Sequence, residues 1–383
     1  MPAHAAESGV QPHAGEGLVA RVAMTSVFVA NGMAFGAWAG SIPRVREASG
    51  LGDARLGLVL LCVSFGAVLA MQVATRFAGR IGMVRSCWGG AVMLGTVLIG
   101  PGLVQGMPAL MVTAMALGFS MGWVDVCMNA HASGMETRRG APIMSSFHAG
   151  WSAGQLLGAT LVGVLAGLGV GLAGGLAAAG GVIVACGLAG LALTEGPDGA
   201  NGGHFAWPTR AMLGLCGLIA LSFAVEGAVA DWSGVYLRTG LSVPAGEASA
   251  GLAVFAGVMV VCRVVGDWVV RRFGARRVVI VGSAMAGVGI VAALMAPGVW
   301  WAAVAFGVVG AGVANVVPVV FSAAGRRGAA GVAMVSTAGY GAVMAAPPLI
   351  GAVSEAVGLR GALLLVALGA GLMTWLGRGV ERG

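Results

Sequence analysis

The sequence predicts an all-α polytopic membrane protein with twelve transmembrane helices in two pseudo-symmetric six-helix bundles. Three observations lead there. Of the 383 residues, 58% are hydrophobic and only 9% charged, with a mean hydropathy of +0.94. A soluble domain carries about 25% charged residues and cannot leave this much apolar surface in water. The apolar residues come in long blocks, each close to the roughly 20 residues that a helix needs to cross the hydrocarbon core. Finally, short motifs recur about half a chain apart.

Cutting the chain at Arg clusters, prolines and polar turns places the first six spans at 19–42, 55–78, 82–101, 108–133, 142–167 and 171–194. The second six fall at 209–238, 246–271, 277–296, 299–323, 329–355 and 359–378. Residues 1–18 are polar and lack the basic start of a cleaved signal, so they are expected as a cytoplasmic tail. The bundles are then 19–194 and 209–378. They are joined by a cytoplasmic linker at 195–208, where EGPDGANGGHFAWP is dense in Gly, Pro and Asp, and followed by a short tail at 379–383.

The repeats support two related halves. WAGSIPR (38–44) matches WSGVYLR (232–238), GRIGMVR (79–85) matches RRFGARR (271–277), and ETRRGA (136–141) matches AGRRGA (324–329). Features shared by both copies, Trp38 with Trp232 and Arg44 with Arg238, read as common architecture: an interface belt and snorkelling arginines.

All 21 basic residues are Arg. With the termini and even-numbered loops on one side, fifteen arginines fall there and five on the other, Arg263 lying within a span. The positive-inside rule then puts both termini in the cytoplasm, and a bacterial-type inner (plasma) membrane is the expected location of such a multi-pass chain. Clusters between apolar blocks suit topology and anionic membrane lipids, and no basic patch interleaved with aromatics points to nucleic acid. The six cysteines lie inside apolar blocks without a CxxC or Cys/His cluster, so neither a disulfide framework nor a metal site is expected. There is no P-loop, HExxH or G-x-S-x-G, and soluble segments are too short for a catalytic domain, so the chain reads as no enzyme and as needing no cofactor.

The duplicated halves, together with GDWVVRRFGARR (266–277), resemble the major facilitator superfamily, whose loop signature joins the second and third helices of a half. DVCMNAHASGMETRRGAPIMSSFHAGWS (125–152) and EGAVADWSGVYLR (226–238) are similar to its MosC/YbjJ-like group. That group includes a protein associated with rhizopine, an amino-cyclitol. The resemblance implies a monomeric secondary transporter working by alternating access, with spans 1, 4, 7 and 10 around a central cavity.

Each of those spans carries a polar residue near mid-depth: Asn31, Asp125, Glu226 and Asn315. The fourth span centres near Gly122, so Asp125 lies about three residues, or roughly 5 Å, from the midplane. An ionisable group there costs about 2.5–3.5 kcal/mol on insertion scales and therefore faces protein or water. Asp125 shares a helical face with Asn129 at i+4 and is the first candidate for proton coupling, with Glu226 second; an interhelical hydrogen bond is the alternative for each. His148, Trp151, Ser152 and Gln155 form one stripe on the fifth span. In it His148 is a proton relay candidate, while Trp151 and Gln155 suit a ring face and a hydroxyl of a small-molecule substrate. Asn31, Asn129, Asp231 and Asn315 complete the substrate-binding candidates. Arg263 and Asp267, at i,i+4, join Arg271, Arg272, Arg276 and Arg277 as gating or structural residues.

The leading expectation is uptake or release of a small polar solute (sugar-like, cyclitol or amino-sugar) driven by protons. Two readings stay open: an exporter of sugars or lipophilic drugs by proton antiport, and a non-transporting membrane sensor.

Overall fold

The computed structural model describes residues 17–139, 143–194 and 208–380. All regular structure among them is helical. The helices are α1 (Leu18–Ala48), α2 (Asp53–Ile81), α3 (Met83–Val97), α4 (Gly100–Leu103), α5 (Met107–Arg139), α6 (Met144–Gly167) and α7 (Leu172–Leu188). After residue 208 come α8 (Leu213–Gly240), α9 (Ala250–Val264), α10 (Gly266–Phe273), α11 (Ala275–Leu294), α12 (Val299–Val313), α13 (Val316–Gly325) and α14 (Gly328–Leu376).

Eleven stretches are long and apolar enough to cross a membrane, and the last of them, Met334–Gly379, holds two. Gly358 breaks α14 with φ 77° and ψ 158°, a left-handed φ that favours glycine, so α14 is two crossing arms and the spans number twelve. Three spans are jointed: α3 runs on into α4 before Val104, α9 into α10 at Val265, and α12 into α13 at Asn315. Most of the linker expected at 195–208, and most of both tails, lies outside the described residues.

The packing repeats between the halves. In the first, α1 lies against α6, α2 against α5 and α3 against α7; in the second, α8 lies against α14, α9 against α12 and α11 against α14. Across the halves α2 meets α14 and α6 meets α9, the same pair of positions exchanged. The matched motifs land on matched sites: Gly82 (φ 99°) joins α2 to α3 and Gly274 (φ 81°) joins α10 to α11. In a bilayer, where lipid is as apolar as leucine, helix association depends on close packing of small residues. The α1–α6 seam shows it: a Cβ on Gly36 would run into the Gln155 backbone, and one on Gly154 into the Val29 carbonyl.

Two expectations are corrected by the packing. Trp38 and Trp232 form no interface belt, for they are 2% and 0% exposed, packed among helices. Nor do the arginines simply snorkel: Arg44 donates to the Val170 carbonyl at 2.8 Å, and Arg238 pairs with Glu47 at 2.7 Å.

Candidate functional site

The mid-depth polar residues separate into two sets. In the first half Asn31 is 5% exposed and ties three helices: its Nδ2 donates to the Met121 carbonyl of α5 at 3.0 Å, and its Oδ1 accepts the Trp151 indole N–H of α6 at 2.9 Å. Trp151, half-buried, leans on Phe35 with centroids 5.5 Å apart. Gln155, one turn further on, is 4% exposed against the same face of α1. These residues, expected to meet a solute, are brought together chiefly as helix-to-helix contacts.

Asp125 differs. It is half-buried on α5, and its carboxylate accepts from Asn129 Nδ2 at 3.2 Å, a residue of its own helix. The same Nδ2 donates to the Asp125 carbonyl at 2.8 Å. Tyr340 of α14 lies within electrostatic reach of Asp125 and is 39% exposed.

In the second half Glu226 sits 3.6 Å from Arg263 of α9, while its Oε1 is buried without a hydrogen-bond partner. Arg263 also donates to Ser152 Oγ on α6 at 3.2 Å, bridging the halves, and it acts electrostatically on His148. His148 is exposed, its ring edge-on to Phe28 at 5.4 Å. Asp231, half-buried and a little over one turn beyond Glu226, has no ion pair or hydrogen bond among the described residues. A Cβ at Gly227, four residues before it, would meet nothing within 4 Å, so this face of α8 borders open space. Asn315 is 9% exposed, its Nδ2 reaching the Cys262 carbonyl at 3.4 Å.

Chemically, the mid-depth set offers three carboxylates, one guanidinium, one phenol and an indole, with the Arg263–Ser152 contact joining the halves, and no metal-binding group of three His, Cys, Asp or Glu among the described residues. A separate groove of about 200 Å³ between α8 and the arms of α14, lined by Leu221, Val225, Leu349, Ile350 and Val366, has only apolar walls and does not suit a polar solute. The model of the Major Facilitator Superfamily matches residues 24–328. The chain belongs to that superfamily. It is 32% identical over 377 residues to an uncharacterised MFS-type transporter of Yersinia pestis, covering 94% of this chain and 95% of that one. It is 31% identical over 366 residues to the membrane protein MosC of Rhizobium meliloti, covering 94% and 89%. Its fold matches the crystal structure of the nucleoside transporter NupG with a TM-score of 0.73, covering 95% of this chain and 99% of that one at 14% identity, a likeness of fold alone.

Within this superfamily fold, Arg263 is not confined to the loop signature, since it reaches Glu226 and Ser152. Of its expected companions, Arg271, Arg272 and Arg277 are exposed, Arg276 is half-buried, and the Asp267 side chain lies outside the described set. Sequence reasoning missed Tyr340. The available signal was its rarity: the chain has two tyrosines, and this one lies mid-span between Gly339 and Gly341.

Proposed function

We propose that this protein is a proton-coupled secondary transporter of a small polar solute, sugar-like, cyclitol or amino-sugar, that works as a monomer in the inner membrane with both termini cytoplasmic. Asp125 carries the coupling proton, and Glu226 is a second proton site. The observation that carries the reading is the incomplete pairing of mid-depth carboxylates: Glu226 has a single ion-pair contact at 3.6 Å and an orphan oxygen, and Asp125 accepts only from its own helix. A carboxyl in the hydrocarbon layer held for structure alone would be expected to have its oxygens satisfied by neighbouring helices. Loosely held carboxyls are free to exchange protons and solute.

Trp151 and Tyr340 supply ring faces, and Asn129 and Ser152 supply hydrogen bonds to hydroxyls. One charge moving through 100 mV releases about 2.3 kcal/mol, enough for more than tenfold accumulation. The test starts by finding the solute through thermal stabilisation of purified protein by sugars, cyclitols, amino sugars and lipophilic cations. A ligand at 100 times its Kd adds about 2.7 kcal/mol. Uptake of the hit is then followed in proteoliposomes under an imposed pH gradient. Uphill uptake that collapses with a protonophore supports the reading, and accumulation indifferent to the gradient rejects proton coupling.

A further inference from the structure

At the helix ends opposite the termini, the halves are fastened by contacts that centre on the start of α2. The first N–H groups of a helix lack partners within it. Here Gly52, preceding α2, offers no side-chain cap. The cap comes from the other half: Glu355, near the end of the first arm of α14, accepts the Ala54 N–H at 3.3 Å. A Cβ on Gly52 would stand 2.6 Å from that carboxylate oxygen, so the glycine leaves the space Glu355 fills. A carboxylate at a helix N-terminus also meets the favourable end of the helix dipole.

Two more links flank it. Asp53 pairs with Arg46 at 2.9 Å and accepts the Ser354 hydroxyl from α14. Glu47 at the end of α1 pairs with Arg238 at the end of α8, and Arg238 donates further to the Val243 carbonyl. Beside them the backbones nearly touch: a Cβ on Gly246 would lie 2.7 Å from the Gly167 Cα.

We propose that this rim is a latch, in which Glu355 caps α2 across the interface and acts with the Asp53–Ser354 and Glu47–Arg238 links to hold this end shut. Opening the end uncaps α2. The Glu355 cap is exposed and the Glu47–Arg238 pair partly so, with side-chain exposures of 42% and 25%, so these two links are weak enough to break in a working cycle, while Ser354 is buried at 4%. The latch's part in transport rests on the alternating-access reading above, whereas its existence is read from distance alone.

The experiment uses full-length protein in lipid nanodiscs, with its six cysteines replaced and spin labels at Leu58 and Val357, exposed positions on α2 and α14. Pulsed dipolar spectroscopy then gives the ratio of open to closed rims. Glu355→Ala and Arg238→Ala are each expected to raise that ratio about two- to fivefold. Arg55→Ala, on an exposed residue of α2 outside the links, is expected to leave it unchanged. Glu47→Arg alone should open the rim, and Glu47→Arg with Arg238→Glu should restore closure, which separates a broken link from a damaged fold. Unchanged ratios in Glu355→Ala and Arg238→Ala, or equal opening by Arg55→Ala, would overturn the latch. Opening as expected in a protein that transports no solute under any condition supports the latch and counts against the transport reading alone.

Discussion

The polar residues of the first half and those of the second sit at similar depths and are held differently. Asn31 uses both ends of its amide on neighbouring helices, at 3.0 and 2.9 Å. Glu226 makes one long ion pair at 3.6 Å with another helix, its other neighbour being Ser222 of its own helix, and Asp231 makes no ion pair or hydrogen bond among the described residues. The first arrangement is glue, fixing α1, α5 and α6 as one body. The second leaves groups available to something outside the protein. Depth alone therefore does not assign a role to a polar residue in a membrane; the number of partners on other helices separates the two. Asp125 sits between the cases, since it lies in the first half but its hydrogen-bond partner is on its own helix.

Asp125 accordingly gives the sharpest break. If it belongs with the available groups, Asp125→Asn abolishes uphill uptake, a fall of at least about tenfold, because the energy of about 2.3 kcal/mol per charge per 100 mV is no longer coupled. Solute counterflow, which needs no proton, stays within about twofold, and thermal stability holds. Parallel loss of counterflow and stability would instead place Asp125 with the glue. Measuring both fluxes on the same proteoliposomes decides it.

The Glu226–Arg263 pair comes next. Glu226→Gln leaves a guanidinium unbalanced inside the bundle, and Arg263→Met leaves a carboxylate so. Breaking a buried pair from one side costs about 3–5 kcal/mol. The long contact and the side-chain exposures of 24% and 21% put the expectation near the lower figure. The double substitution should regain most of that stability, with a coupling energy of about 1–3 kcal/mol from a thermal-melt cycle. It should also lose proton-driven uptake. Additive losses would mean that the two side chains act separately and that Ser152 is the main partner of Arg263.

Much of this fold was legible because its signals are local. Arg clusters and apolar length gave the spans, and the repeat gave the two halves, with Gly82 and Gly274 marking the same turn in each. The partners of polar side chains were less legible, since they lie far along the chain. Arg238 carries the pattern of a snorkelling arginine matched to Arg44, yet it meets Glu47, 191 residues away. Trp38 and Trp232 carry the composition of an interface belt but are buried, because the repeat that placed them reflects packing shared by both halves. Tyr340 comes within electrostatic reach of Asp125 across more than 200 residues of chain, which no spacing within either helix reveals.

Asn31 tests the glue directly. Asn31→Ala leaves the Trp151 N–H and the Met121 carbonyl without their partner. Such interhelical hydrogen bonds in membranes contribute about 0.6–2 kcal/mol, so a loss of about 1–2 kcal/mol is expected in a thermal melt. Trp151→Phe should lose a similar amount and the double variant little more, since one network is being removed twice. Full stability with abolished solute binding would move Asn31 into the site.

The smallest effect is expected at Asn315. Mid-depth placement suggested a solute contact, but the amide lies against the α9–α10 joint, where Gly266 leaves room for its Oδ1 and Cys262 accepts its Nδ2 at 3.4 Å. That length is at the weak end of the range for an N–H donor to oxygen. Asn315→Ala should therefore cost about 0.5 kcal/mol, near the average for polar contacts between membrane helices. Its uptake should stay within about twofold of the unaltered protein. A large loss of uptake with an unchanged melting temperature would show that an amide held at the α12–α13 joint still serves the solute, and the division between held and available groups would then have to be drawn by position and not by partner.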